Sequence, residues 1–120
     1  SYLKKNDFKV FKSKKTLFAM TAHVIFKKID PDNTVTHSKK LIDIIRNQIK
    51  FKNLIISDDL SMKSLKYSIS ENTRKAFRAG CNIVLHCNGN LKEMTFVAKN
   101  SPKVSSFILK KTSEFYKNLS

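Results

Sequence analysis

Leu54-Ile55-Ile56-Ser57-Asp58-Asp59-Leu60 is the stretch on which the fold turns. Three aliphatic residues between Asn53 and Ser57 are too few for a helix and too uniformly apolar for a strand with one wet face. They read as a strand buried on both faces. On the N-terminal side, Leu41, Ile42, Ile44, Ile45 and Ile49 recur at spacings of three and four, which predicts a helix over residues 38–50 with Ser38 as its N-cap. Further upstream, Thr16-Leu17-Phe18-Ala19-Met20 begins a nearly continuous apolar run to Phe26 whose first half reads as a second buried strand, ending near polar Thr21 and His23. Asp30-Pro31-Asp32-Asn33 then marks a loop, and Asn6 to Lys12 has the spacing of a helix end. On the C-terminal side, residues 70–80 offer a cap-like Ser70, a helical stretch and a stop at Gly80. Ile83-Val84-Leu85 is a third buried strand, and residues 91–119 hold one or two helices with a break at Ser101-Pro102.

Strands this apolar alternating with helices predict a parallel sheet in α/β order. Three such units do not close an independent parallel sheet, which needs both faces covered and its edges protected. The chain is therefore expected to assemble with something or to be a piece of a larger α/β protein.

The 120 residues carry 24 Lys and Arg against 9 Asp and Glu, a net charge of +15, with 41% hydrophobic residues. That apolar content excludes a disordered or fibrous chain. No apolar run approaches the roughly 18–20 residues that span a bilayer, and the basic N-terminal stretch has no secretory core. A soluble chain without membrane contact or export signal is the expectation. The charge raises nucleic acid as a partner, but the lysines are scattered as doublets (Lys4-Lys5, Lys14-Lys15, Lys27-Lys28, Lys39-Lys40, Lys110-Lys111), the pattern of a solvated surface rather than of a polyanion site. Cys81 and Cys87, six positions apart, fit neither a redox pair nor a zinc site, and two reduced, partly buried thiols point to a cytoplasmic setting. With only Gly80 and Gly89, the chain has no phosphate-cradling loop. No cofactor and no metal are expected.

In parallel α/β folds, functional groups gather at the carboxyl ends of the strands. Here those ends are Thr21-Ala22-His23, Ser57-Asp58-Asp59 and His86-Cys87-Asn88. Two of the nine acidic residues stand side by side at the middle one. Alternation along a strand sends one carboxylate towards the ligand side and the other towards a flanking helix, the competing reading being that both cap the next helix. His23 either orients a substrate or carboxylate or is a satisfied polar residue. His86 and Cys87, as neighbours on a strand, face opposite ways and do not form a nucleophilic pair. His37 falls in a loop with no visible partner.

Three blocks, Ala19-Met20-Thr21-Ala22-His23-Val24-Ile25-Phe26 with Asp30-Pro31, Leu54-Ile55-Ile56-Ser57-Asp58-Asp59-Leu60-Ser61-Met62, and Ala79-Gly80-Cys81-Asn82-Ile83-Val84-Leu85-His86-Cys87-Asn88, resemble the bacterial β-N-acetylglucosaminidases (β-hexosaminidases) of glycoside hydrolase family three, which act in cell-wall recycling. The resemblance implies that residues 1–120 are a partial catalytic domain, about three βα units from the C-terminal portion of a (β/α)8 TIM barrel. It implies that Asp58 is the catalytic nucleophile of a retaining glycosidase, that Asp59 supports the fold, and that His23 lines the sugar pocket as a substrate-binding residue. The implied partner is a glycan or muropeptide ending in N-acetylglucosamine. The family's acid/base lies in a Gly-His-Gly type stretch upstream of all three blocks, and its Lys-His pair and sugar-gripping Arg and Asp also lie there; none of these occurs in the 120 residues. A complete barrel takes about 250 residues, so the chain alone is expected to be inactive, with the missing N-terminal half of the barrel as its partner. The alternatives are a basic α/β module that binds nucleic acid and a subunit that completes a barrel with another chain.

Overall fold

The computed structural model describes residues 18–119 apart from Val24, Lys63 and Ser64. The helix end expected at residues 6–12 lies outside the described residues. Three strands, β1 (Phe18–Met20), β2 (Leu54–Asp59) and β3 (Ile83–Leu85), form one parallel sheet with β2 in the middle. A 3-10 turn (Val35–His37) and helix α1 (Lys39–Asn47) connect β1 to β2, and α2 (Ile69–Ala79) connects β2 to β3. Two further helices, α3 (Leu91–Lys99) and α4 (Ser106–Leu119), follow on either side of the Ser101-Pro102 break. The expected α/β order is what the structure shows.

The core sits between the sheet and its helices. Leu41, Ile42 and Ile45 of α1 are buried against Ile55 of β2 and Ala76 and Ala79 of α2. Each fully buried aliphatic side chain of this kind contributes about 1.5–3 kcal/mol. Ser38 is the N-cap, its Oγ accepting from the Leu41 N–H (3.1 Å) while its hydroxyl donates to Asp30 Oδ2 at 2.6 Å, which pins the preceding loop to the helix it enters. Arg46 on the far end of α1 donates to the carbonyls of Phe51 and Asn53 and to Asn82 Oδ1, the last of which also accepts from the Ile55 N–H. One guanidinium thereby ties the entries of β2 and β3 together.

Three expectations are corrected. Helix α2 begins at Ile69 and is capped by Ser68, not Ser70: the Ser68 Oγ accepts from the Glu71 N–H, and only the Ser68–Glu71 pair has the S-x-x-E spacing of a capping box. Strand β3 is half-buried at all three residues, because only its β2 side is paired among the described residues. Of the two free thiols, Cys81 is buried but Cys87 is exposed; burial pushes the Cys81 thiol up to about 12, so it stays protonated and inert.

Gly80 ends α2 with φ +122°, and a Cβ there would lie 2.8 Å from Ile42 Cγ2. Both the backbone conformation and the close approach of α2 to α1 demand glycine. Gly80→Ala is expected to destabilise the chain by about 2–4 kcal/mol, read as a lowered midpoint of urea denaturation with an unchanged slope.

Candidate active site at the end of the central strand

The sheet registers place Ile56 opposite Ile83 but Asp59 opposite Leu85, so β2 carries one extra residue between these pairs. This is a β-bulge, a device that re-aims side chains where it interrupts a ladder. Strict alternation therefore does not run through Ser57-Asp58-Asp59, and the bulge decides where the two carboxylates go. Ser57, fully buried, fills the interrupted ladder by accepting the Leu85 N–H on its Oγ at 3.1 Å.

The two acids have different surroundings. The Asp59 carboxylate accepts from the Ser61 N–H (3.0 Å), the Ser61 hydroxyl (2.9 and 2.8 Å) and the Cys87 N–H (3.1 Å), tying the end of β2 to its own turn and to the end of β3. Burial pushes this carboxyl up, but those hydrogen bonds and nearby His86 outweigh it and hold it below the ordinary value of 3.8. The Asp58 Oδ1 accepts from the Asp59 N–H at 2.8 Å, and among the described residues its second oxygen accepts nothing. Neither acid caps α2, whose cap is Ser68. Asp59 is a structural tie, and Asp58 keeps a carboxylate oxygen available for chemistry.

His23 leaves β1 into the interior, 8% exposed, with its Nε2 donating to the Asp59 carbonyl and its Nδ1 bonded to Thr36 Oγ1, both at 2.8 Å. Both ring nitrogens are thus engaged within the protein. His37, read from the sequence as unpartnered, is buried: its Nε2 donates to the Asn72 carbonyl at 3.2 Å and its ring lies 6.0 Å from that of Tyr67. Sequence spacing has no signal for that pairing, which spans 35 residues. Burial, with Lys75 and His23 nearby, lowers His37 to about 4 despite the Asn72 contact. His86 and Cys87 diverge as expected, Cys87 to the surface and His86 to a buried position where its Nε2 lies 3.0 Å from Glu93 Oε1. Beside these strand ends lies a cleft of about 450 Å³ lined by Leu60, Ser61, Met62, Tyr67, Asn72 and Glu93 among others. Among the described residues no three His, Cys, Asp or Glu gather to hold a metal, and no helix is long and apolar enough to cross a membrane.

This architecture has known relatives. The glycosyl hydrolase family 3 N-terminal domain matches residues 2–111. A beta-hexosaminidase of Nitrosomonas eutropha is 46% identical over 71 residues, covering 58% of this chain and 20% of that protein. Among solved structures, the beta-N-acetylglucosaminidase from Thermotoga maritima superposes with a TM-score of 0.63 at 28% identity, over 90% of this chain and 26% of its own. CbsA from Thermotoga neapolitana gives 0.68 at 30% identity, over 84% and 25%. The chain spans about a fifth of the length of the first curated relative it matches.

Asp30, Glu71 and Glu93 are also held below their ordinary values, but of these groups His37 titrates over the highest range and Asp59 lies at the candidate site. His37, lowered from 6.5, contributes stability that is complete above that value and lost as pH falls towards about 4. Asp59 contributes stability that is complete above 3.8 and lost below it. Denaturant melts are expected to show stability falling by about 2–3 kcal/mol between pH 6.5 and 4. His37→Leu should abolish that slope, whereas Asp59→Asn should flatten only the part below pH 4.

Proposed function

The chain belongs to glycosyl hydrolase family 3, as part of the family's N-terminal, TIM-barrel-type α/β domain, and on that premise we propose that it supplies the nucleophile-bearing portion of a retaining β-N-acetylhexosaminidase. Asp58 is the nucleophile. Its carboxylate attacks the anomeric carbon of a terminal N-acetylglucosamine. The glycosidic C–O bond breaks as the leaving oxygen takes a proton from an acid group. Water then hydrolyses the glycosyl ester with the stereochemistry retained. The observation that carries this reading is the division of labour at the bulge: Asp59 is saturated by three donors, while Asp58 retains an oxygen for an electrophile.

The 120 residues contain no Gly-His-Gly stretch to act as the acid. We infer that hydrolysis requires the remaining strands of the barrel, which bring the acid and the groups that grip the sugar, and that the chain by itself does not turn over. Cell-wall muropeptides are the proposed substrates and the cytoplasm the proposed compartment. The beta-hexosaminidase names of the relatives support a terminal hexosamine as the sugar cleaved, and two unpaired cysteines support the compartment.

The test joins the chain to the upstream part of the Nitrosomonas eutropha relative and follows release of the aryl group from an aryl N-acetylglucosaminide. Asp58→Ala is expected to lower kcat by about a thousandfold or more with an unchanged circular dichroism spectrum. Undiminished hydrolysis by that variant refutes the assignment.

A further inference from the structure

The end of β2 is gripped from behind by a buried relay that crosses three elements. Thr21 and Thr36 place their hydroxyl oxygens 2.8 Å apart, Thr36 Oγ1 lies 2.8 Å from His23 Nδ1, and His23 Nε2 lies 2.8 Å from the Asp59 carbonyl oxygen. Thr21 is 2% exposed and Thr36 fully buried. A carbonyl only accepts, so the Nε2 proton is committed to Asp59. With one ring proton, on Nε2, Nδ1 accepts from the Thr36 hydroxyl at 2.8 Å in preference to that hydroxyl's longer, 3.3 Å contact with the Ala22 carbonyl, and Thr36 accepts from Thr21. The Thr21 N–H donates in addition to the Ile56 carbonyl at 2.8 Å, so the exit of β1 holds β2 on both sides of the bulge.

We propose that His23 and Thr36 are positioning residues for Asp58, acting through the Asp59 carbonyl rather than by touching the sugar. This rests on the reading of Asp58 as nucleophile. The bulged residues lack a regular ladder, so their torsions need another restraint. With its carbonyl held by His23 and its carboxylate by Ser61 and Cys87, Asp59 is fixed at both of its acceptor groups. Its N–H is thereby kept on Asp58 Oδ1, which orients the carboxylate that must meet the anomeric carbon. The Asp59 carbonyl sets the tautomer, and the Thr36 hydroxyl satisfies the Nδ1 that this tautomer leaves as an acceptor.

Thr36→Val removes the hydroxyl and preserves the shape. In the full chain, the Asp59 amide is expected to exchange its hydrogen about tenfold faster. In the completed barrel described above, kcat is expected to fall about tenfold with KM changed less than about twofold, and Thr36→Ser to restore both. Thr73→Val serves as control, since it deletes an equally buried hydroxyl, bonded to the Ile69 carbonyl within α2; it should leave exchange at Asp59 and kcat unmoved. If Thr73→Val has the same effects, the relay merely adds stability and the proposal falls. If Thr36→Val does not fold, His23→Gln carries the same comparison. Full kcat in these variants while Asp58→Ala is inactive overturns the positioning role alone, and an active Asp58→Ala overturns both readings.

Discussion

Strand β2 is hydrogen-bonded along both edges, and nearly every other feature of the structure depends on how it ends. A central parallel strand cannot slide without breaking two ladders at once, so its register is fixed by β1 and β3 together. The extra residue between Ile56 and Asp59 is absorbed at the carboxyl end, where the ladder with β3 is giving way to loops. That location concentrates the departures from regularity where two acids stand: a buried Ser57 replaces a backbone acceptor, Asp59 staples the strand to its turn, and Asp58 is left with one donor among the described residues. The amino ends of the strands are held by different means, chiefly Arg46 and Asn82. The sheet is thus anchored at one end by a cation shared among carbonyls and at the other by a carboxylate shared among N–H groups.

The parts of the fold legible in the sequence are those governed by short-range pattern. The Leu41, Ile42, Ile45 stripe, the Ser38 cap, the Gly80 stop and the aliphatic cores of β2 and β3 each have their cause within a few residues, and each is found where the pattern put it. The α2 cap lies two residues before Ser70: Ser68 and Ser70 are both good caps in isolation, and Glu71 discriminates between them only through the box spacing. What stayed out of reach depends on pairings distant in sequence. The bulge exists only in the register of β2 against β3. The two partners of His23 lie 13 and 36 residues away, and the partner of His37 lies 35 away. The acidic pair at positions 58 and 59 stood out because acids are scarce in this chain, but which of the two is structurally committed was not readable without the contacts.

Relatives that match most of this chain are themselves several times longer, and the surface agrees with an incomplete sheet. Met20, at the end of β1, is 51% exposed, and Ile56 of β2 and all three residues of β3 are half-buried, whereas Ala19 of β1 and Ile55 of β2 are sealed against the helices. Leu54, which alternates to the face opposite Ile55, is nonetheless fully buried, so the central strand is covered on both faces at its amino end, as parallel strands require.

The outer edge of β3 pairs with nothing among the described residues, and an unpaired edge of aliphatic residues is a template for another copy of itself. Lysine, which says little about catalysis here, gives the molecule colloidal protection instead. At a net charge of +15, two copies approaching edge to edge repel one another before their backbones meet. That protection has a range set by the ionic atmosphere, about 10 Å at 0.1 M salt and about 3 Å at 1 M. The guarding of this edge is therefore set by the solvent as much as by the fold, and high salt is expected to weaken it.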